Sequence, residues 1–312
     1  MRIVLLGATG FLGHHLLPEL SAAGHECIVL SRYPPGCREL TVLPNVEVRR
    51  SDIYAAEQLQ KHIGGADAVI NMVGILNERG RKGEGFNTAH VVLVEKIIEA
   101  CRACNVRRLL QVSALHAGKG SSYYLISKGK AEERILAAEH LDSTIFQPSV
   151  IFGEGDSFFN RFAGLLKVAP FLPLACPDSK LQPVWVGDVV VAMARALADP
   201  DTIGQKLVMV GPQEYTLREL VEFTACVCGL RRKIIGLPDS MSRLQGRVMD
   251  FVPGKPFSSD NYRSLQTDNT SGENSLWRFG ITPRSIEATV PGYLGGAASQ
   301  RRLDKCRKRA DE

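Results

Sequence analysis

The sequence lacks any long hydrophobic run: no stretch of about 18 consecutive apolar residues occurs among its 312 residues. No signal peptide precedes the first apolar segment, which begins at Ile3. These two absences argue against a membrane-spanning helix and against export. We therefore predict a soluble protein that resides in the cytoplasm.

Signatures of metal and nucleic-acid binding are also missing. Eight cysteines are scattered, and neither a second Cys-x-x-Cys pair nor a histidine cluster accompanies Cys101 and Cys104, so no metal site is predicted. With 7% aromatic residues and a net charge of +5, the composition does not favour a nucleic-acid partner. Part of that charge lies in residues 299–312, which we interpret as a disordered basic tail, with contact to acidic lipid or nucleic acid as the alternative.

A glycine-rich turn near the start is the most informative feature that the sequence does contain. Gly7, Gly10 and Gly13 follow the apolar run 3–6 and lead into a segment with helical apolar spacing. In a dinucleotide-binding fold, such glycines allow the tight turn, the approach of a pyrophosphate and the close packing of helix on strand, respectively. The N–H groups at the helix start would bind the pyrophosphate. The alternative is a glycine-rich turn without a ligand.

Strand and helix patterns alternate beyond this turn. Apolar runs predict strands at 27–30, 46–48, 68–73, 108–112 and 143–146, and helices over 89–104 and 123–139. Repeated β–α alternation predicts an α/β fold built on a Rossmann-type, doubly wound parallel sheet.

The pattern changes after Pro148, where glycine and proline become frequent. We predict a dinucleotide-binding domain over 1–150 and a smaller C-terminal lobe over 151–298, interleaved with the sheet through residues 183–186. Asp188 is expected to cap the helix that follows it.

The residues after the second predicted strand bear on the choice of cofactor. NAD-selective folds place an acidic side chain there for the ribose 2′-OH, whereas this chain has Ser31 and Arg32. An arginine can pair with a 2′-phosphate, so we predict NADP(H), with NAD(H) as the second option and a solvated arginine as the alternative interpretation. Asp52 would accept from the adenine amino group, or instead cap a helix that starts near Tyr54. The remaining predicted cofactor contacts are Thr9, Phe11, Leu12, Ile53, Met72, Val73, Gly74, Pro148, Ser149 and Val150.

Tyr124 and Lys128 are the main candidates for chemistry. Four residues apart on a helix, they share one face, and the lysine would lower the pKa of the phenol and hold the nicotinamide ribose. Ser113, after the fifth predicted strand, could orient a carbonyl beside that phenol. The alternative is that Tyr124 and Lys128 hold the cofactor without turnover. His90 is expected to be a buried, hydrogen-bonded histidine rather than a general base.

Together these stretches resemble the atypical, or extended, short-chain dehydrogenase/reductase superfamily. Within it, the chain is similar to the branch of NADPH-binding accessory subunits of respiratory complex I and their bacterial relatives. The stretches that carry the resemblance are 7–13, 112–115, 124–132, 147–158, 182–189, 211–220 and 268–269. One departure is Gln147, where relatives often carry arginine.

The resemblance implies an NADPH that is bound but not turned over. It also implies a helper of a respiratory complex or of quinone metabolism, docked on a protein partner and peripheral at the inner membrane. The apolar segments 158–166 and 168–174 could form that docking surface or the core of the small lobe. The alternative function is an active NADP-dependent oxidoreductase or epimerase acting on a small carbonyl or sugar-nucleotide substrate, with Ser113, Tyr124 and Lys128 moving the proton.

Overall fold

A computed structural model describes residues 1–78, 80–253 and 255–295. The predicted basic tail, 299–312, lies outside the described residues. The strands are β1 (Arg2–Leu6), β2 (Glu26–Ser31), β3 (Val46–Arg50), β4 (Ala68–Asn71), β5 (Arg108–Val112), β6 (Asp142–Pro148), β7 (Ile151–Phe152), β8 (Phe171–Leu174), β9 (Lys180–Leu181), β10 (Val184–Trp185), β11 (Lys206–Met209), β12 (Tyr215–Thr216) and β13 (Lys233–Gly236).

Helices alternate with the strands along the chain. The α-helices are α1 (Phe11–Ala22), α2 (Ala56–Ile63), α3 (Glu84–Phe86), α4 (Leu93–Ala103), α5 (Tyr123–Leu136), α6 (Phe159–Val168), α7 (Val186–Ala198), α8 (Leu217–Val227), α9 (Asp239–Met249), α10 (Ser259–Ser264) and α11 (Ile286–Leu294). A π-helical segment, Asn87–Val92, connects α3 to α4, and 3₁₀ segments occur at Pro34–Val42, Pro200–Thr202 and Ser275–Phe279.

Seven strands of the described chain form one sheet in the order β11-β6-β5-β4-β1-β2-β3, and every neighbouring pair is parallel. The predicted α/β fold with a doubly wound parallel sheet is confirmed. Strands β1, β2, β4 and β5 are buried almost throughout, as expected for a sheet covered on both faces. The strand order reverses between β1 and β4, and ligands of such sheets bind beyond the carboxyl ends of the strands at that point.

Two compact units can be described separately. The first comprises 1–148, 189–209 and 273–281, and contains the sheet. The second comprises, among the described residues, 149–188, 210–272 and 282–295. The core of the second unit includes the buried side chains Phe152, Phe159, Leu166, Leu220 and Val290. One face of the apolar segment 158–166 is therefore core in this unit.

Two predictions about the region after residue 180 are wrong. Residues 183–186 do not enter the main sheet, because Val184 and Trp185 pair with the short strand β7, while β11 adds the seventh strand. Asp188 does not cap a helix: α7 begins at Val186, and the buried carboxylate accepts from the backbone N–H of Arg284 at 2.8 Å. A carboxylate in the first turn still interacts favourably with the helix dipole.

No helix in the described ranges is long and apolar enough to cross a membrane.

Candidate functional site

The glycine turn is held by two close backbone approaches. Gly7 has φ +78°, and a Cβ at this position would lie 2.8 Å from the backbone nitrogen of Val73. A Cβ on Gly13 would lie 2.2 Å from the carbonyl oxygen of Ala8. Gly7 thus brings the turn against the end of β4, and Gly13 lets α1 pack on the chain that leaves β1.

Gly10 serves a different purpose. It is exposed and forms the N-cap of α1, and a Cβ there would meet only the carbonyl oxygen of Gly7, at 3.3 Å. This single contact would be tight, but it is far milder than the collision at Gly13. No side chain caps the helix and no acidic residue occupies its first turn, so its N–H groups can bind an anion. Of the predicted neighbours, Thr9 is exposed and Phe11 and Leu12 are half-buried.

The carboxyl ends of β2 and β3 carry two exposed arginines. Ser31 is buried at the end of β2 and lies opposite Arg50 in the parallel register with β3, and Arg32 follows Ser31 directly. Within the described residues, neither Arg32 nor Arg50 forms an ion pair, whereas the adjacent Arg49 is bound to Glu47. Arg50 was not predicted, and only the strand register reveals its position beside Ser31.

Asp52 and Ile53 follow β3. Asp52 is exposed and accepts from the backbone N–H of Tyr54 at 3.0 Å, so it closes a turn there rather than capping α2, which begins at Ala56. Ile53 is half-buried and packs on the core of the sheet unit. Contact of Asp52 with an adenine amino group stays a prediction.

A hydrogen-bond network joins the ends of β4 and β5. The Asn71 side chain accepts from Val73 N–H at 3.1 Å and donates to Gln111 at 2.8 Å. The first of these bonds turns the chain after Asn71, so β4 ends there and not at residue 73, where the predicted strand ended. Gln111 and Lys128 both donate to the carbonyl oxygen of Val112, at 2.9 Å and 3.0 Å. The loop that follows β4 contains the predicted cofactor contacts Met72, Val73 and Gly74. It is held by the buried side-chain amides of Asn71 and Gln111, which the sequence patterns did not single out.

Lys128 lies directly beside this loop. A Cβ on Gly74 would be 3.5 Å from Lys128 Nζ, so the structure brings two predicted cofactor residues together. Lys128 is 4% exposed, and burial lowers its pKa to about 8, against the opposing influence of Glu132. The ammonium is therefore still largely protonated at pH 7. One of its three N–H donors is bound to Val112, and the others can bind the hydroxyls of a ribose.

Tyr124 shares the face of α5 that carries Lys128. The helix begins beside it because the hydroxyl of Ser122 accepts from Leu125 N–H at 3.1 Å. The half-buried Tyr124 ring meets the edges of Phe86 and His90, with centroids 6.0 Å and 5.6 Å apart. Burial raises the pKa of the phenol to about 12. In this state the phenol is protonated, and the lowered pKa that proton transfer would require is absent.

His90 is buried in the π-helical segment and fully hydrogen-bonded, so that prediction is confirmed. Its Nε2 accepts from Ile75 N–H at 3.3 Å, which makes Nδ1 the protonated nitrogen that donates to Ser127 Oγ at 2.8 Å. Ser127 in turn donates to the Tyr124 carbonyl oxygen at 2.8 Å. Burial, reinforced by the charge of Lys128, lowers the pKa of His90 to about 2. A neutral imidazole thus connects the loop after β4 to α5.

Ser113 donates to a buried carboxylate. Its Oγ lies 2.5 Å from Oε1 of Glu132, which is 0% exposed. Gln147 also donates to this carboxylate, at 2.8 Å, and Lys206 Nζ forms an ion pair with it at 2.7 Å. Lys206 therefore supplies the cation to Glu132 while residue 147 contributes a neutral amide. The Ser113 hydroxyl points to Glu132, whereas orienting a substrate carbonyl would require it to point elsewhere.

The last predicted contacts divide between the two units. Pro148 ends β6 in the first unit, where its carbonyl oxygen accepts from Leu115 N–H at 2.9 Å. Ser149, in the second unit, bonds to the side chain of Asn269, and Val150 accepts from Val184 N–H at 3.0 Å. The roles predicted for Pro148, Ser149 and Val150 at a cofactor stay predictions.

The strand order of the parallel sheet reverses beside the start of α1, and the uncapped N–H groups of that helix can bind an anion. This arrangement is typical of a dinucleotide-binding protein. Comparison with known proteins agrees, since the model of the NAD(P)H-binding family matches residues 7–157. A ceramide reductase of Caulobacter vibrioides is 31% identical over 80% of this chain and 77% of its own length. The mouse mitochondrial NADH dehydrogenase (ubiquinone) 1 alpha subcomplex subunit 9 is 30% identical over 91% of this chain and 77% of its own length. The chain belongs to the extended short-chain dehydrogenase/reductase family and is an NAD(P)-binding protein.

Solved structures agree on the fold. A nucleoside-diphosphate-sugar epimerase from Staphylococcus aureus superposes with a TM-score of 0.73 over 92% of this chain and 98% of the epimerase. At 18% sequence identity, this likeness concerns the fold alone.

The different roles of Gly10 and Gly13 can be separated by substitution. We expect Gly10→Val to abolish NADPH binding, because the added side chain would hold the pyrophosphate away from the helix start. The unliganded variant should lose less stability than Gly13→Ala, because its Cβ would meet one backbone atom at 3.3 Å rather than backbone at 2.2 Å. Ligand at a hundredfold excess over Kd stabilises the wild type by about 2.7 kcal/mol, and this gain should vanish in the variant. Thermal unfolding with and without NADPH measures both quantities.

Gly13→Ala is the matched comparison. Its Cβ would collide with Ala8, so the unliganded protein should lose about 1–3 kcal/mol of stability. Gly164→Ala in α6, where a Cβ would meet nothing within 4 Å, serves as the control and should be neutral or stabilising. An equal NADPH-induced shift in wild type and Gly10→Val would mean that the glycine turn is not the site.

His90 predicts a dependence of stability on pH. Its pKa is about 2 in the folded chain and about 6.5 when unfolded, so acid favours the unfolded state. The associated stability is complete above pH 6.5 and should fall by about 2 kcal/mol between pH 7 and pH 5. Urea unfolding at both pH values, compared with His90→Gln, isolates the effect because other groups titrate in both proteins. Identical losses in both proteins would show that His90 is not the group responsible.

Proposed function

We propose that this chain binds NADP(H) as a lasting structural ligand and serves as an accessory or assembly factor for a respiratory complex or for quinone metabolism. The observation that carries the proposal is the state of the three predicted catalytic groups. Ser113 donates to Glu132, Lys128 donates to Val112, and the pKa of Tyr124 is raised. Ser113 is thus engaged by the protein, Lys128 keeps two donors for a ribose, and the Tyr124 phenol stays protonated, a combination that suits holding a ribose better than moving a proton.

The preference for NADP(H) over NAD(H) rests on the ends of β2 and β3. The exposed Arg32 and Arg50 flank Ser31, and neither has an ion-pair partner among the described residues. A 2′-phosphate would receive charge-assisted hydrogen bonds from such arginines. NAD-selective folds place at this point a carboxylate that would repel the phosphate, and neither Ser31 nor Arg32 provides one.

The proposed partner follows from the relatives. Besides the mouse protein, subunit 9 of Arabidopsis thaliana is 29% identical over 71% of its own length. Because the likeness extends over both units, we propose that a surface of this chain docks on a respiratory or quinone-pathway protein and that the chain works at the inner membrane.

Active reduction of a carbonyl is the second candidate function. Tyr124 and Lys128 do share one face of α5, and the 31% identical relative is named a ceramide reductase. In that case NADPH would supply the hydride to the carbonyl carbon, and Tyr124 Oη would give its proton to the carbonyl oxygen. Lys128 would then lower the pKa of the phenol once its ammonium is released from Val112.

Arginine substitutions test the cofactor preference. We expect Arg32→Ala and Arg50→Ala each to weaken NADPH binding by about 10- to 100-fold, the value of a charge-assisted contact of about 1.5–3 kcal/mol, and to leave NADH binding unchanged. Arg49→Ala is the control, since this neighbour is paired with Glu47 and should have no effect. Calorimetric titration of both cofactors measures the constants. Equal affinity of the wild type for NADPH and NADH would contradict the NADP(H) assignment.

Tyr124 and Lys128 separate the two candidate functions. If the cofactor is structural, Lys128→Ala weakens NADPH binding, because the ribose loses its cation, while Tyr124→Phe leaves binding and complementation of a deletion strain intact. If the chain turns over a carbonyl, Tyr124→Phe should instead reduce activity by about 10²–10⁴-fold. Failure of Tyr124→Phe to complement, with normal expression and cofactor content, would overturn the structural role.

A further inference from the structure

Helix α9 in the second unit exposes its large apolar side chains and buries its small residues, the reverse of the usual arrangement in a surface helix. Met241, Leu244 and Val248 follow one another at helical spacing and are 51%, 57% and 57% exposed. The buried face instead carries the small residues Ser242 and Gly246. A Cβ on Gly246 would lie 3.2 Å from the Ser258 carbonyl oxygen, so the helix packs closely through its small face. The large apolar side chains are therefore presented outward.

The outward stripe extends beyond the helix. Phe251, just after α9, is 72% exposed. Strands β8 and β13 form a two-stranded ribbon in which Phe171 and Ile235 are 56% and 41% exposed. Ile235 lies two positions along β13 from Lys233, the residue that pairs with Phe171. The Gln245 side chain joins helix and ribbon by donating to the Pro173 carbonyl oxygen at 3.3 Å. We call the six exposed apolar residues the α9 surface: Phe171, Ile235, Met241, Leu244, Val248 and Phe251.

The charges around the α9 surface are nearly all of one sign. Segments 165–175 and 231–255 contain seven lysines and arginines and two carboxylates. Both carboxylates are engaged, since Asp239 accepts from Tyr262 and Asp250 accepts from Ser259 N–H. Exposed on α9 itself are Arg243 and Arg247, and no ion pair to either occurs in the described part of the chain.

A cationic groove continues from the ribbon. It is lined by Arg231, Arg232 and Lys233, with Glu222 as its one carboxylate, and Lys233 is also the residue that pairs with Phe171. The whole region thus presents an apolar stripe with cations along its border.

We propose that the α9 surface lies on an anionic lipid bilayer, with its apolar side chains among the acyl chains and its cations among the headgroups. Interfacial helices have this arrangement of an apolar stripe beside arginine and lysine. A protein partner would have to supply a matching excess of carboxylates, whereas an anionic bilayer presents negative charge over its whole surface. The surplus of cations selects the bilayer. This proposal is independent of whether the cofactor turns over.

Vesicle binding tests the proposal. The full chain is floated with vesicles of phosphatidylcholine, with or without 30% phosphatidylglycerol. We expect binding only to the anionic vesicles and a loss of binding at 0.5 M salt. Each cation near an anionic surface contributes about a factor of five, so Arg243→Gln with Arg247→Gln should weaken binding about thirtyfold. Leu244→Ser with Val248→Ser should also weaken it, because the apolar anchor is removed.

Matched controls lie on the first unit. Leu136→Ser, at a residue 41% exposed, and Lys61→Gln should bind vesicles like the wild type. Melting temperature and NADPH binding should stay normal in every variant, which separates lost docking from lost folding or cofactor. Neutralising Arg307, Lys308 and Arg309 tests the basic tail as the alternative source of binding.

Three outcomes would overturn the proposal. One is equal binding by wild type and the α9 variants. Another is loss of binding only when the basic tail is neutralised. The third is a dimer, or a complex with a protein partner, that needs the α9 surface while vesicles of either composition are not bound.

Discussion

Close packing of α1 against the carbonyl of Ala8 is the contact on which the rest of the site depends. Gly13 makes it possible, because a single methyl group there would lie 2.2 Å from that oxygen. The contact sets the start of α1 directly beyond β1, where the strand order reverses. Gly7 then brings the same turn against Val73, so the anion-binding end of the helix and the loop after β4 share one edge of the sheet.

Polar groups beside that edge are satisfied by one another. Lys128 and Gln111 meet on the Val112 carbonyl, His90 links Ile75 to Ser127, and Ser113 is held by Glu132. Buried networks of this kind rigidify a structure when every member has its partner. A rigid and already satisfied site can hold a cofactor with little reorganisation, whereas proton transfer would require some of these bonds to be exchanged. Our proposal of a lasting ligand rests on this difference.

Local patterns in the sequence predicted the features that depend on local physics. Strand periodicity placed β1 to β6, and glycine spacing placed the turn at Gly7. Features that depend on register were beyond reach: the position of Arg50 opposite Ser31, and the ion pair of Glu132 with Lys206, each join segments that no pattern connects. The short apolar run 183–186 was assigned to the wrong sheet, since its four residues carry no information about which strand they pair with. The cofactor roles of the individual residues stay predictions.

The nucleotide that accompanies the purified protein tests the central claim most directly. The chain is isolated from its native cells, denatured, and its bound nucleotide identified and quantified; a second portion is challenged with carbonyl substrates while the absorbance of reduced nicotinamide is followed. Our account predicts close to one NADP(H) per chain, slow exchange with added nucleotide, and no oxidation by any carbonyl. Bound NAD(H), or NADPH that is oxidised in step with the reduction of a carbonyl, would contradict it.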